Sequence, residues 1–403
     1  MIYHFSACNN KKPFRQPETH FNEKQNSMNN NNYTSSYNAA AWRGRVADFI
    51  FDPLDAWLLI SLVIIYIASM FVLYSADGQS WGQLERKTIY TVLAFFAMWF
   101  IARFRPVFVS RFALPLYGVS LLLLIGVQVA GVTVNGATRW LDLGVTRIQP
   151  SELMKIALPM ILAWYFHRLD NQVRWYHWIV AFIIIALPVA LILKQPDLGT
   201  AILILASGLL VVFFAGLPWK AIFVALIGAV ISLPAIWAYG LHDYQRQRIL
   251  TMFNPEEDKL GAGYHILQSM TAIGSGGVWG KGWLGGTQNR LDYIPERTTD
   301  FIFAVYGEEF GFIGNSLLVL MYGLIVARGL TIAMRARTIY GRLLAASLTM
   351  TIFFYAFINM GMVSGILPVV GVPLPLVSYG GTATLSIMVI FGMLMGIAAD
   401  KRL

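Results

Sequence analysis

The sequence predicts an all-α polytopic membrane protein with ten transmembrane helices and one large exterior loop between spans seven and eight. Three observations carry this. Of 403 residues, 57% are hydrophobic and only 13% charged, whereas charged residues make up about a quarter of a soluble domain. The apolar residues come in runs of about 20, the length that crosses the hydrocarbon core of a bilayer. Those runs lack the in–out alternation of an outer-membrane barrel strand.

Taken in order, residues 1–41 are polar and asparagine-rich. They cannot bury a core and are expected to form a disordered cytoplasmic tail. Residues 42–52, WRGRVADFIFD, place Trp42, Val46, Phe49 and Ile50 on one helical face, which predicts an interfacial helix on the cytoplasmic leaflet. Residues 53–403 form the membrane domain. Its ten spans are expected at 56–74, 88–104, 113–130, 151–167, 177–194, 199–216, 219–240, 301–327, 343–364 and 383–399. Alternate short loops carry the basic residues: Arg103, Arg105 and Arg111, then Arg168 and Arg174, then Lys220, then Arg328, Arg335, Arg337 and Arg342. The positive-inside rule puts that face, and both termini, in the cytoplasm, and the 241–300 loop outside.

The net charge of +9 is therefore a topology signal and does not point to nucleic acid. The single cysteine, Cys8, excludes a disulfide framework and a cysteine metal site. With no apolar h-region and cleavage site at the N-terminus, the first span is expected to act as its own signal.

Five polar stretches interrupt the apolar sequence. In QPSELMK (149–155), Pro150 and Ser151 suit a helix start. Glu152 and Lys155 share a helix face there, as an ion pair, as the lining of a polar cavity, or as both. In KQPDLGT (194–200), Asp197 can cap the next helix, and Lys194, at the end of an apolar span, could face an anionic ligand. The glycine-rich run 274–286 holds a weak G-x-G-x-x-G match at Gly280, Gly282 and Gly285, but no strand precedes it. A Walker A reading fails because Gly282 follows Lys281 where Ser or Thr is needed. The better reading is a loop folded back to the membrane surface, anchored by Tyr264, Trp279 and Trp283. In PERTTDFIFAVYGEEFG (295–311), Thr298, Thr299 or Asp300 could cap the eighth span. Glu308 and Glu309 lie about 12 Å deeper, where at least one should point into the bundle and find a partner. Finally, GVPLPLVSYGGT (371–382) is too rich in Gly and Pro for a helix and is expected to dip toward the bundle beside the large loop.

Together these stretches resemble the SEDS (shape, elongation, division and sporulation) family. GAGYHILQS, AIGSGG, GKGWLGGTQ, PERTTDFIFAV and EEFG resemble its elongation branch more than its division branch. QPSELMK, KQPDLGT and PLPLVSYGG resemble signatures common to both. The resemblance covers residues from about 50 to the end. It implies a ten-helix fold with cytoplasmic termini in the bacterial inner membrane, its active site facing the periplasm. It also implies a peptidoglycan glycosyltransferase that polymerises lipid II during cell elongation, with inversion at the anomeric carbon and release of undecaprenyl pyrophosphate. The catalytic aspartate of that pattern falls on Asp300, and the Glu and Lys of the family's cavity fall on Glu152 and Lys155. Where relatives often have His, this chain has Thr298.

That reaction needs one base beside the acceptor hydroxyl and cations around the leaving pyrophosphate. Lys155, Arg246, Arg248 and Arg297 are the cations on the expected face, and Lys194 and Glu308 complete the substrate-binding set. No cofactor is assigned. A divalent cation, Mg or Mn, could share the work, held by carboxylates and phosphate, since no His or Cys ligand cluster is present. The implied partners are a class B penicillin-binding protein, supplying the transpeptidase this chain lacks, and other elongation-complex proteins. The alternatives are a lipid II flippase or a non-catalytic scaffold of the elongation machinery.

Overall fold

The computed structural model describes residues 53–400 except 135–136, 143, 145–146, 171, 241–242, 259–260 and 295. The expected tail (1–41) and interfacial helix (42–52) lie outside the described residues. Among the described residues, ten long helices lie at the positions of the ten expected spans: α1 Ala56–Ala76, α2 Trp81–Ala102, α3 Ala113–Ala130, α4 Pro150–Arg168, α5 Trp175–Leu193, α6 Leu198–Phe214, α7 Trp219–Ala235, α8 Ile302–Met334, α9 Ile339–Val363 and α10 Gly381–Ala399. Six of them, α1, α3, α5, α8, α9 and α10, are both long and apolar enough to cross a membrane, while α6 and α7 are apolar but shorter. The other two carry ionisable groups inside the apolar sequence: Lys87 in α2, and Glu152 and Lys155 in α4.

A membrane helix is apolar all round, so hydropathy does not tell lipid-facing from core-facing sides. Packing decides that here. Helices α4, α9 and α10 are the most enclosed. Fourteen residues of α4 are buried, and α9 packs against α4, α6 and α8 while α10 lies along α2. Helix α7 buries none of its residues and continues into a π-helical turn, Ile236–Gly240.

Between α3 and α4 the chain forms a small antiparallel sheet absent from the sequence-based expectation: β1 Val132–Val134, β2 Ala137–Asp142 and β3 Arg147–Ile148, in the order β1-β2-β3. Val132 pairs with Trp140, and Leu141 with Ile148. The hairpin signal is present in the sequence as Asn135-Gly136 between two short β-prone runs.

The 241–300 stretch is mostly helical, with helices at Asp243–Phe253, Ala262–Ser275 and Thr287–Arg290. The glycine-rich turn is stitched to α8 at a break in that helix. Gly311 has φ +64 and ψ −160, a conformation open only to glycine. The break strands backbone groups, and the turn supplies their partners. Lys281 and Gly282 donate to the carbonyls of Glu308 and Glu309 at 3.0 Å each, and Phe312 and Ile313 donate to the carbonyls of Gly277 and Val278 at 2.9 and 3.2 Å. Gly280 (φ +80) lies so close that an added Cβ would sit 2.1 Å from the Glu309 carbonyl oxygen. Gly276 and Gly280 thus serve backbone-to-backbone docking, an added Cβ at either lying within 2.2 Å of an α8 carbonyl oxygen.

Two expected helix caps are replaced. The cap residue of α8 is Phe301, with no side-chain cap bond, so Asp300 does not cap that helix. Likewise Gln149 precedes α4, and Ser151 makes no cap bond, although Pro150 opens the helix as expected. Asp197 does cap α6, accepting from the Thr200 N–H at 3.2 Å.

Candidate active site

A cavity of about 570 Å³ opens among the described residues, walled by the start of α4, the start of α6, strand β2, the stretch before α8, the 369–380 loop and the start of α10. Asp300, Glu152, Lys155 and Arg248 all line it, joined by Arg139, Asp197, His265 and Glu296. Residues far apart in sequence, and mostly at helix ends, therefore converge on one polar chamber.

Two ion pairs are built into its walls. Lys155 Nζ donates to Glu152 Oε1 at 2.6 Å, and Ser386 Oγ on α10 donates to Glu152 Oε2 at 2.6 Å. The same ammonium lies 4.7 Å from the centre of the Tyr355 ring on α9, at cation–π distance. Lys155 is 4% exposed and Glu152 8%, so neither charge would be tolerated there without the other. Across the chamber, Arg139 Nη1 stands 3.5 Å from Asp197 Oδ2, to which Gln149 Nε2 also donates at 3.4 Å.

Asp300 is held by its backbone, leaving its carboxyl to the cavity. Asn359 Nδ2 donates to the Asp300 carbonyl at 2.8 Å and to the Val372 carbonyl at 2.7 Å. Ser378 Oγ donates to the Thr299 carbonyl at 2.6 Å, and the Tyr379 N–H to the Thr298 carbonyl at 2.8 Å. The 371–380 loop is itself tied to α2, where buried Lys87 donates to the Val377 carbonyl at 2.5 Å. Burial pushes the Asp300 carboxyl up to about 6; Glu296 and Asp197 add to this and Arg139 opposes it.

Four of the expected substrate-binding residues lie elsewhere. Lys194 is exposed at the C-terminal end of α5. Arg246 donates to the Ala238 carbonyl at 2.8 Å and stands 3.5 Å from Asp243. Arg297 is engaged by Asp292 and by the Asn289 carbonyl, and lines a separate cavity of about 410 Å³ with Arg290 and Asn289. Glu308, fully buried, receives Lys281 Nζ at 2.7 Å and the N–H groups of Thr287 and Gln288 at 2.8 and 3.0 Å. It is a docking post for the loop, placed at the start of a short helix where backbone donors are free. Glu309 accepts from Ser75 on α1.

Arg139, Asp197, His265 and Glu296 line the cavity but are outside the site set expected from the sequence, where Asp197 is read as a helix cap. Arg139 reads there only as a loop charge, and its entry into the cavity depends on the β hairpin. His265 lies within GAGYHILQS, a stretch that carries the family resemblance but gives no residue in it a role.

Comparison with known proteins agrees with this architecture. Residues 48–403 match the profile of the FtsW/RodA/SpoVE family, described as cell cycle proteins. The chain belongs to that family. It is 46% identical over 350 residues to the peptidoglycan glycosyltransferase MrdB of Escherichia coli K12, covering 87% of this chain and 95% of that protein. It is 36% identical over 350 residues to the probable peptidoglycan glycosyltransferase FtsW of Synechocystis, covering 86% and 88%. Among solved structures, a chain from work on the structural coordination of polymerization and crosslinking by a peptidoglycan synthase complex matches with TM-score 0.77 and 31% identity, covering 86% of this chain and 98% of that one. The Thermus thermophilus rod shape determining protein RodA matches with TM-score 0.66 and 28% identity, covering 87% and 98%. Family membership makes this a multi-pass membrane protein, and its members of known structure share the helical fold.

Proposed function

We propose that this chain is a peptidoglycan glycosyltransferase that polymerises lipid II into glycan strands during cell elongation. The observation that carries the reading is the convergence of Asp300 with Lys155, Arg139 and Arg248 on one cavity. The relatives named as peptidoglycan glycosyltransferases support it, MrdB of Escherichia coli K12 among them at 46% identity over 350 residues.

In this reaction the 4-hydroxyl of one lipid-linked sugar attacks the anomeric carbon of another. The C–O bond to the lipid pyrophosphate breaks as the new glycosidic bond forms, with inversion. Asp300 takes the hydroxyl proton. A carboxylate raised to about 6 is still ionised at neutral pH and is a stronger base than an exposed aspartate. Lys155, Arg139 and Arg248 supply positive charge for the departing pyrophosphate, which needs cations more than a proton. Two of these cations are already partnered by carboxylates, which fixes their positions before substrate arrives and removes the cost of reorganising them. A divalent cation held by the protein alone would need a carboxylate cluster, whereas one shared with the substrate phosphate would need fewer protein ligands. Among the described residues no three His, Cys, Asp or Glu side chains gather closely enough to hold one.

The site lies at the ends of α4, α6 and α8, as a reaction between lipid-anchored substrates at a membrane surface requires. By loop charge, that surface is periplasmic and both termini are cytoplasmic. A class B penicillin-binding protein is the partner proposed to cross-link the strands. The test is glycan polymer formed from lipid II by the purified protein with that partner, whose transpeptidase is blocked. Polymer from wild type, lost in Asp300→Asn, supports the reading. No polymer from wild type with its partner would return the flippase alternative.

A further inference from the structure

His265 lines the same cavity as Asp300, Glu296 and Thr299, yet the reaction above gives it no task. It stands in the first turn of the helix Ala262–Ser275. Its ring lies nearly parallel to that of Phe301, with centroids 5.5 Å apart and planes 21° apart. Its orientation is thus set by the residue next to Asp300. Nδ1 is enclosed by protein and has no hydrogen-bond partner among the described residues, so Nε2 is the nitrogen left to meet the cavity. An enclosed, unpartnered ring nitrogen is costly, and an apolar ring would stack on Phe301 equally well. Burial holds the imidazole below its ordinary pKa, against the opposing pull of Glu296 and Asp258. At neutral pH the ring is uncharged and offers one donor and one acceptor.

We propose that His265 is a second substrate-contacting residue, whose Nε2 hydrogen-bonds a hydroxyl or N-acetyl group of the sugar that Asp300 activates. The proposal rests on the polymerase reading for the identity of that sugar. The geometry gives the contact a purpose. Asp300 alone can meet a hydroxyl but cannot stop the ring from turning about it. A second, rigidly held hydrogen bond from an adjacent wall fixes that rotation, and orientation is a large part of catalysis between two bound substrates.

The experiment compares His265→Phe and His265→Gln in the full-length protein with its partner. Three quantities are measured: lipid II binding in detergent, polymerisation kinetics and melting temperature. Phe keeps the stack on Phe301 and removes both nitrogens, whereas Gln keeps a hydrogen-bonding end. The expected result is a Kd for lipid II raised about tenfold in His265→Phe, the loss of one hydrogen bond in a desolvated site. A matching or larger fall in kcat/KM, an undiminished melting temperature and partial recovery in His265→Gln complete the expectation. Wild-type binding and kinetics in His265→Phe would overturn the proposal. So would equal defects in both variants with a lowered melting temperature, which would mark His265 as structural. Binding is read apart from polymerisation, so the two readings fail separately. Wild type that binds lipid II but makes no polymer defeats the polymerase, and the Kd of His265→Phe still judges the contact.

Discussion

Asp300 is where chemistry and environment meet most directly. Asp300→Asn keeps the volume of the side chain and removes its charge and basicity. Because Phe301, and not Asp300, is the cap residue of α8, no capping loss confuses the result. Polymerisation is expected to fall by roughly a hundredfold or more, with lipid II binding retained. Normal polymer from this variant would remove Asp300 from the mechanism. Since the carboxyl is raised to about 6, kcat/KM of the wild type should climb as pH rises through about 6 and level off above it. A profile flat between pH 5 and 7 would contradict an Asp300 base. Stability runs the opposite way. A carboxyl whose folded pKa exceeds the unfolded value favours the fold at low pH, and ionising it costs stability as pH rises through about 6. Asp300→Asn should therefore melt a few degrees above wild type at pH 7.5, and with it at pH 4. The Glu152–Lys155 pair gives a second test at this scale. Lys155→Met strands a buried carboxylate, whereas Glu152→Gln with Lys155→Met leaves no charge. The single variant should melt lower than the double by a margin of about 3–5 kcal/mol in stability. Equal melting would show that the two are not partners.

At the scale of elements, the break in α8 couples the 241–300 stretch to the membrane helices. Four backbone hydrogen bonds cross it, and buried Glu308 holds the start of Thr287–Arg290. A side chain at residue 280 has no room and no relaxed backbone conformation at φ +80. Gly280→Ala is expected to detach the turn while leaving the bundle folded. Limited proteolysis should then cut between residues 276 and 290 well before the helices, at least tenfold faster than in wild type. Unchanged protection would mean that the turn is held by its side chains instead. Within these helix–loop contacts the Glu308 oxygens accept from Lys281 and from backbone N–H groups.

On the scale of the whole molecule, the loop charges predict one orientation. In a variant lacking Cys8, a cysteine at Arg335 should react only with reagent admitted to the cytoplasm, and one at Glu256 only with reagent outside. Labelling of both from one side would overturn the ten-span arrangement. Residues 2–41 contain no apolar run that could anchor to the bundle. Their deletion should leave polymer yield within about twofold of wild type. A large loss at equal membrane abundance would show that the tail takes part.

What the sequence by itself determined was whatever depends on local composition. Apolar runs of membrane-spanning length predicted the positions of the long helices among the described residues, six of which are long and apolar enough to cross a membrane, because a backbone in lipid must satisfy its own hydrogen bonds. The Glu152–Lys155 pairing followed from three-residue spacing on one helix, and the Asp197 cap from its position before α6. Tertiary structure decided everything that depends on which distant segments meet. It brought Arg139 into the cavity through a hairpin, withdrew Arg246 and Arg297 into local contacts, and made Glu308 a docking post for the loop. It also gave Gly276 and Gly280 their purpose, which is to meet the backbone of a helix broken further along at Gly311. A charge in a sequence shows that a partner must exist. Only the fold shows whether that partner is another side chain, a stranded backbone group or a place left open for substrate.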